Sequence, residues 1–248
     1  AATTRMLPAE KRGMATGIVN AGGSFGQFVM APVAAGLTAA FGWMTSMQVL
    51  GLIALLALPA AWVLRGNSTI VANPAPASAA GGAAPAREGT RAAISRALAE
   101  PSYRLLACGF FVCGFHVAFL ATHLPNVVAM CGLPPTVSAW SLGLLGLFNI
   151  VGSLAMGWAV SRWRMKSLLS LVYAARGVAV LVFLLSPKTA TTMLIFAAVM
   201  GLTYLSTVPP TAGLVAKFFG PANMATLFGI VMLSHQIGGF TGAWLGGK

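Results

Sequence analysis

The sequence predicts an all-α polytopic membrane protein, and three observations carry that prediction. Apolar residues make up 58% of the 248 positions and charged ones 7%, with a mean hydropathy of +0.85. Soluble domains carry roughly 25% charged residues, so this chain cannot cover a water-facing surface. Secondly, residues 13–64, 105–161, 189–216 and 218–247 contain no Asp, Glu, Lys or Arg. One span takes about 20 residues, so the first two stretches are each a helical hairpin and the last two are single spans. Residues 167–186, interrupted by Arg176, add another. The seven spans, lettered a to g, are too long and too seldom alternating for barrel strands.

The third observation is where the charge lies. The net charge of +12 suggests nucleic acid at first sight. Alternating the ends of the seven spans, however, puts twelve basic residues on one side, from Arg5 to Lys217, and only Lys188 and Lys248 on the other. This is the positive-inside pattern, with the N-terminus cytoplasmic and the C-terminus outside. A nucleic-acid patch has no reason to skip every second loop. All six Trp fall near span ends, as interface anchors do.

Residues 1–12 read as a cytoplasmic loop. Gly17-Ile18-Val19, Gly26 and Phe28 recur as Gly229-Ile230-Val231, Gly238 and Phe240 at a constant offset of 212, which also aligns Arg5 with Lys217. The two stretches read as equivalent helices in two halves of a duplicated membrane protein. The offset places another helix upstream of residue 1, so the sequence reads as a fragment lacking helices at both ends.

Span a, residues 14–38, carries Gly22-x3-Gly26, a spacing that lets a neighbouring backbone approach closely; Pro32 would kink it. Asn20 and Gln27 share a face that either lines a polar path or hydrogen-bonds a neighbouring helix. A turn at Gly42-Trp43 leads to span b, residues 44–64, a nearly featureless helix. Residues 66–101 form a flexible linker rich in Ala, Gly, Ser and Pro. Arg87, Arg91 and Arg96 with Ile94 and Leu98 suggest that it ends in a basic amphipathic helix on the inner membrane face.

Span c, residues 105–130, holds His116 and His123 seven positions apart and hence on one face. They either face a cavity or pair with backbone carbonyls in the packed bundle. They do not make a metal site, and Cys108, Cys113 and Cys131, lacking ligand spacing, read as small apolar fillers. Span d, residues 138–160, carries Asn149 among small residues. Span e, residues 168–185, holds Arg176 near mid-membrane, where it needs either a partner elsewhere or helix-end carbonyls. Span f, residues 191–216, contains Tyr204, Thr207 and Pro209-Pro210, which suit a bent gating helix. Span g, residues 218–247, brings His235, Gln236 and a glycine ladder at Gly238, Gly242 and Gly246.

Arg12-x2-Ala15-x-Gly17-Ile18-x2-Ala21-Gly22-x3-Gly26, followed by Pro32 and Gly42-Trp43, resembles the loop and fifth helix of the monocarboxylate and oxalate/formate branch of the major facilitator superfamily. Residues 157–166 resemble a worn copy of its loop motif between helices eight and nine, with Ser161 at the acidic position. The resemblance implies a partial major-facilitator fold in which spans a to g are helices five to eleven of twelve. Residues 1–65 then end the N-terminal half, 66–101 are the central linker, and 102–248 belong to the C-terminal half. It further implies a secondary active transporter of a small organic solute, a monocarboxylate or related organic anion, working by alternating access. His116, Asn149, Tyr204, Thr207, His235 and Gln236, with Asn20 and Gln27, would line its cavity.

The resemblance implies no cofactor and no metal. Its expected partners are the bilayer, a small-molecule substrate and protons, with a monomer in the cell membrane (the inner one in a Gram-negative cell). An enzyme would need a nucleophile with a base, but the chain has no Asp, and its three Glu lie in loops. A channel filter or charged ring is absent from the sequence. The alternatives left are a receptor with the transporter fold, which would bind without flux, and an efflux carrier for a neutral or hydrophobic solute.

Overall fold

The structure is a computed structural model that describes residues 9–55 and 89–247. Within these residues lie seven helices and no strand. They are α1 (Ala9–Leu55), α2 (Thr90–Ala99), α3 (Pro101–Met130), α4 (Pro135–Ala159), α5 (Met165–Leu185), α6 (Ala190–Thr203) and α7 (Val208–Leu245). Six stretches are long and apolar enough to cross a membrane. The first, Ala21–Leu55, covers most of span a and enters span b, and Ala190–Gly220 and Asn223–Leu245 cover span f and most of span g. The end of span b and the linker as far as residue 88 lie outside the described residues.

Local chemistry sets the element boundaries. α1 breaks at Gly42, at φ 77°, a left-handed conformation that only glycine adopts without strain; this is the turn expected at Gly42-Trp43. α7 breaks in the same way at Gly220, at φ 75°, followed by Pro221. Pro101 and Pro135 open α3 and α4, where a missing N–H costs nothing. Glu100 caps α3 by accepting from the Ser102 N–H at 3.4 Å. Thr189 caps α6 by accepting from the Thr192 N–H. Lys188 closes α5 by donating to the carbonyls of Phe183, Leu184 and Ser186, a cation on the negative end of a helix.

The chain forms two compact units, Ala34–Gly89 and the remainder. In the smaller unit Thr38 Oγ1 donates to the Ala34 carbonyl at 2.7 Å and lies within hydrogen-bond distance of Ser46 Oγ, at 3.1 Å. These bonds tie the two sides of the Gly42 turn together. The larger unit is built on two intimate helix pairs, α3 with α7 and α4 with α6. Glycine makes both possible. A Cβ at Gly114 would collide with the His235 carbonyl, and Cβ atoms at Gly238 and Gly242 would collide with the carbonyls of Phe111 and Phe115. Gly152 meets the Leu202 carbonyl in the same way, and Gly201 that of Leu145. The glycine ladder of span g is therefore the seam of α3 and α7, as small-residue stripes in membranes predict.

α5 packs on α6 and α7, and α2 packs on α3 and α7. Ala93 and Ala97 of α2 are fully buried, and Arg96 lies over the Phe219 ring. The amphipathic helix expected on the membrane surface thus rests its small-residue face on the bundle. The bundle is apolar outside and charged within. α5 exposes Leu171, Val178, Leu181, Val182 and Leu185 but keeps Arg176 1% exposed, an arrangement that suits lipid and not water.

Candidate functional site

Three apolar cores fill the described part of the larger unit, the smallest of them gathering Met156, Ala159, Leu168 and Val172; the other two flank the site. One, toward the basic end of the bundle, gathers Tyr103, Leu106, Phe110, Leu169, Val215 and Val231. The other gathers Leu120, Leu124, Leu145, Met193, Phe196 and Met200. Cys113 belongs to the first and Tyr204 to the second. Polar and basic groups collect where these two cores meet, around the interruption between α6 and α7 at residues 204–207.

The interruption has a local cause. Pro209 and Pro210 have no N–H to give back to the preceding turn, so the helix cannot run continuously through Tyr204 to Thr207. It breaks just ahead of them, as the sequence suggests for span f. Three helices then hold the break. Arg176 of α5 donates through Nε to Thr203 Oγ1 at 3.4 Å and through Nη2 to the carbonyls of Thr203 and Tyr204. Its guanidinium therefore caps the C-terminus of α6 and takes the helix-end alternative. Asn149 of α4 accepts from the Leu205 N–H at 3.0 Å and from Ser153 Oγ at 3.3 Å, while its amide donates to Ser24 Oγ at 2.7 Å. The Tyr204 hydroxyl donates to the Val117 carbonyl of α3 at 2.9 Å.

On the α3 side, Cys113 Sγ is 3.2 Å from Thr207 Oγ1 and 3.7 Å from the Tyr204 carbonyl. The His235 imidazole and the Arg176 guanidinium both lie beside that thiol. His235 is placed by the glycine seam, its backbone pressed on Gly114 and its ring 5.1 Å from that of Phe110. His116, one turn beyond Cys113, lies within reach of the Arg176 charge. Three nitrogens are buried without a hydrogen-bond partner: Nδ1 of His116, Nδ1 of His235 and Nη1 of Arg176.

The structure thus brings His116, Tyr204, Thr207 and His235 to one region. It adds two residues to them, Arg176 and Cys113. Asn149 lies on the other flank of the break with its hydrogen-bonding atoms engaged. Gln236 is exposed, Gln27 is half-buried, and the side chain of Asn20 lies outside the described residues. His123 takes the carbonyl alternative, with Nε2 donating to the Ala243 carbonyl at 2.8 Å. Cys113 escaped the sequence reading because every partner it has comes from another helix, and no local spacing marks it. No group of three His, Cys, Asp or Glu able to hold a metal occurs among the described residues.

Such an arrangement has a clear chemical capacity. A guanidinium, two imidazoles, the Thr207 hydroxyl and a thiol can donate hydrogen bonds to a small polar solute at the middle of a membrane bundle. Comparison with curated proteins gives no match. The family description that matches is the Major Facilitator Superfamily, over residues 1–243. With the all-helical bundle and its six candidate spans, that match shows a secondary transporter in general terms, and the chain belongs to the Major Facilitator Superfamily.

Proposed function

We propose that the protein moves a small organic anion, of the monocarboxylate or a related class, across the cell membrane by alternating access. One observation carries the reading: the groups gathered at the α6–α7 break are basic or neutral, and no acidic residue falls in any described span. Burying positive and donor groups without an acid is costly, and a site of that kind favours an anionic solute over a cation. On this reading residues 1–65 carry helices five and six, 66–101 the central linker and 102–248 helices seven to eleven. The protein acts as a monomer. His235 and His116 contact the solute or carry protons, and Tyr204 and Thr207 lie beside them.

Imidazole suits both tasks, because its charge changes in the physiological range. An imidazole N–H at His235 donates to a carboxylate, and a proton carried with the solute would link anion uptake to a pH gradient. The test is uptake into liposomes holding the complete protein, with labelled lactate, oxalate, formate, an aromatic acid, a sugar and an amino acid, each with and without an imposed pH gradient. Carboxylate uptake should follow the gradient and fall sharply in His235→Ala. Uptake of the sugar alone, or carboxylate flux indifferent to His235, would overturn the assignment.

A further inference from the structure

The geometry points to Arg176 as the residue that reads the charge of the transported solute, its free Nη1 being the docking point for a carboxylate at the α6–α7 break. The inference rests on the organic-anion reading above. It assigns the charge recognition to α5, from which the sequence and the resemblance draw no site residue.

Arg176 is 1% exposed and holds the C-terminus of α6 with Nε and Nη2 only. That edge of the guanidinium suffices to cap the helix. The other nitrogen, Nη1, is buried and has no partner, although a guanidinium offers five N–H donors. Charge balance points the same way as the hydrogen bonds. The α6 C-terminus presents roughly half a negative charge, so about half of the Arg176 charge is left over. The described spans contain no Asp or Glu to take it up. A buried cation in that condition calls for an anion, and no carboxylate in the described spans provides one.

The surroundings narrow the class. The start of α7 is not a ready anion site: Pro209 and Pro210 lack N–H groups, and the N–H groups of Val208 and Thr211 already bond the carbonyls of Leu205 and Thr207. The helix terminus that often binds anions is therefore engaged here, and the guanidinium is left to do it. Beside it lie the Cys113 thiol and the His235 ring, which adjoins the same thiol and whose Nδ1 makes no well-formed hydrogen bond. A carboxylate has two oxygens to share between two such donors: one oxygen takes Arg176 Nη1 and the other an imidazole N–H. A neutral amide matches that pair poorly, because it brings a donor of its own to one of them. The site therefore discriminates between a carboxylic acid anion and its amide.

Because Cys113 adjoins Arg176, an acid placed there provides an internal competitor. The experiment uses the complete protein in liposomes, labelled lactate, formate and benzoate, and the corresponding amides. Three proteins are compared: wild type, Arg176→Gln and Cys113→Asp. Uptake of the carboxylates should fall about ten- to a hundred-fold in Arg176→Gln, the range expected for a lost charge-assisted hydrogen bond, and the preference for acid over amide should vanish. Cys113→Asp should lose carboxylate uptake to a similar degree while melting at or above the wild-type temperature, since its new carboxylate satisfies Nη1. Wild-type uptake and wild-type acid preference in either variant would overturn the assignment, and so would a lowered melting temperature in Cys113→Asp. If Arg176→Gln does not fold, Cys113→Asp decides alone. If the wild-type protein takes up none of the three acids, it is the organic-anion reading that falls.

Discussion

Asn149 shows what one buried amide can accomplish. Its side-chain carbonyl satisfies the Leu205 N–H left open by the helix break, and its NH2 reaches Ser24 Oγ on α1. It is 0% exposed, so no water can substitute for it. Replacing it with Leu, of similar volume, leaves the Leu205 N–H buried without an acceptor. That should lower stability by about 2 kcal/mol. Ser153→Ala, which removes only a donor to Asn149, should cost less than half as much. Thermal unfolding of the two variants in detergent checks this, and equal melting temperatures for Asn149→Leu and wild type would refute the brace. The sequence announced a polar residue inside a span, which is legible in any membrane helix. It did not announce that the partners would be a backbone N–H 56 positions on and a hydroxyl 125 positions back. Arg176 repeats the lesson: its cost at mid-membrane was legible, whereas its partners, the carbonyls of the α6 end, exist only once α5 and α6 have packed.

At the scale of helices, glycine decides which pairs form. Gly17-Ile18-Val19 with Gly26 and Gly229-Ile230-Val231 with Gly238 share one spacing, but the structure treats the copies differently. A Cβ at Gly238 would strike the Phe111 carbonyl, whereas a Cβ at Gly26 would meet nothing within 4 Å among the described residues outside its own helix backbone. The repeat therefore reports an equivalence of elements, and the contacts come from the partner each meets. This separates two substitutions that look alike on paper. Gly238→Ala drives a methyl into a backbone oxygen that cannot swing aside, so α3 and α7 must part, at a cost of about 2 kcal/mol. Gly229→Ala meets nothing within 4 Å and gains helix propensity of up to about 1 kcal/mol. Melting curves should move in opposite directions; a Gly238→Ala protein as stable as Gly229→Ala would remove the seam from the explanation of the fold. The spans, the Gly42 turn and the ladder were legible because each is written in local residue type. The boundary between spans f and g was legible at Lys217 for the same reason, and the turn itself falls three residues on, at Gly220.

For the whole molecule, the strongest organising force is the distribution of charge. The ends of the helices that carry Arg96, Arg104, Arg164, Lys166 and Lys217 belong together in the alternation of spans, and Lys188 belongs to the opposite side. Lys188 is exceptional in a second way: its ammonium is spent on three carbonyls at the end of α5, so it contributes little free charge to its side. The bias that holds positive loops in the cytoplasm is therefore steeper than the residue count alone conveys. A direct check uses the complete protein in intact cells with its own cysteines replaced, and single cysteines introduced as Ser186→Cys beside Lys188 or Ser161→Cys at the end of α4. A membrane-impermeant maleimide added outside should label the first within minutes and the second only after the membrane is opened. The reverse pattern would invert the protein, and would turn the cytoplasmic face assigned to α2 outward as well. Labelling of both without permeabilisation would contradict a bundle in which α5 crosses the bilayer between them.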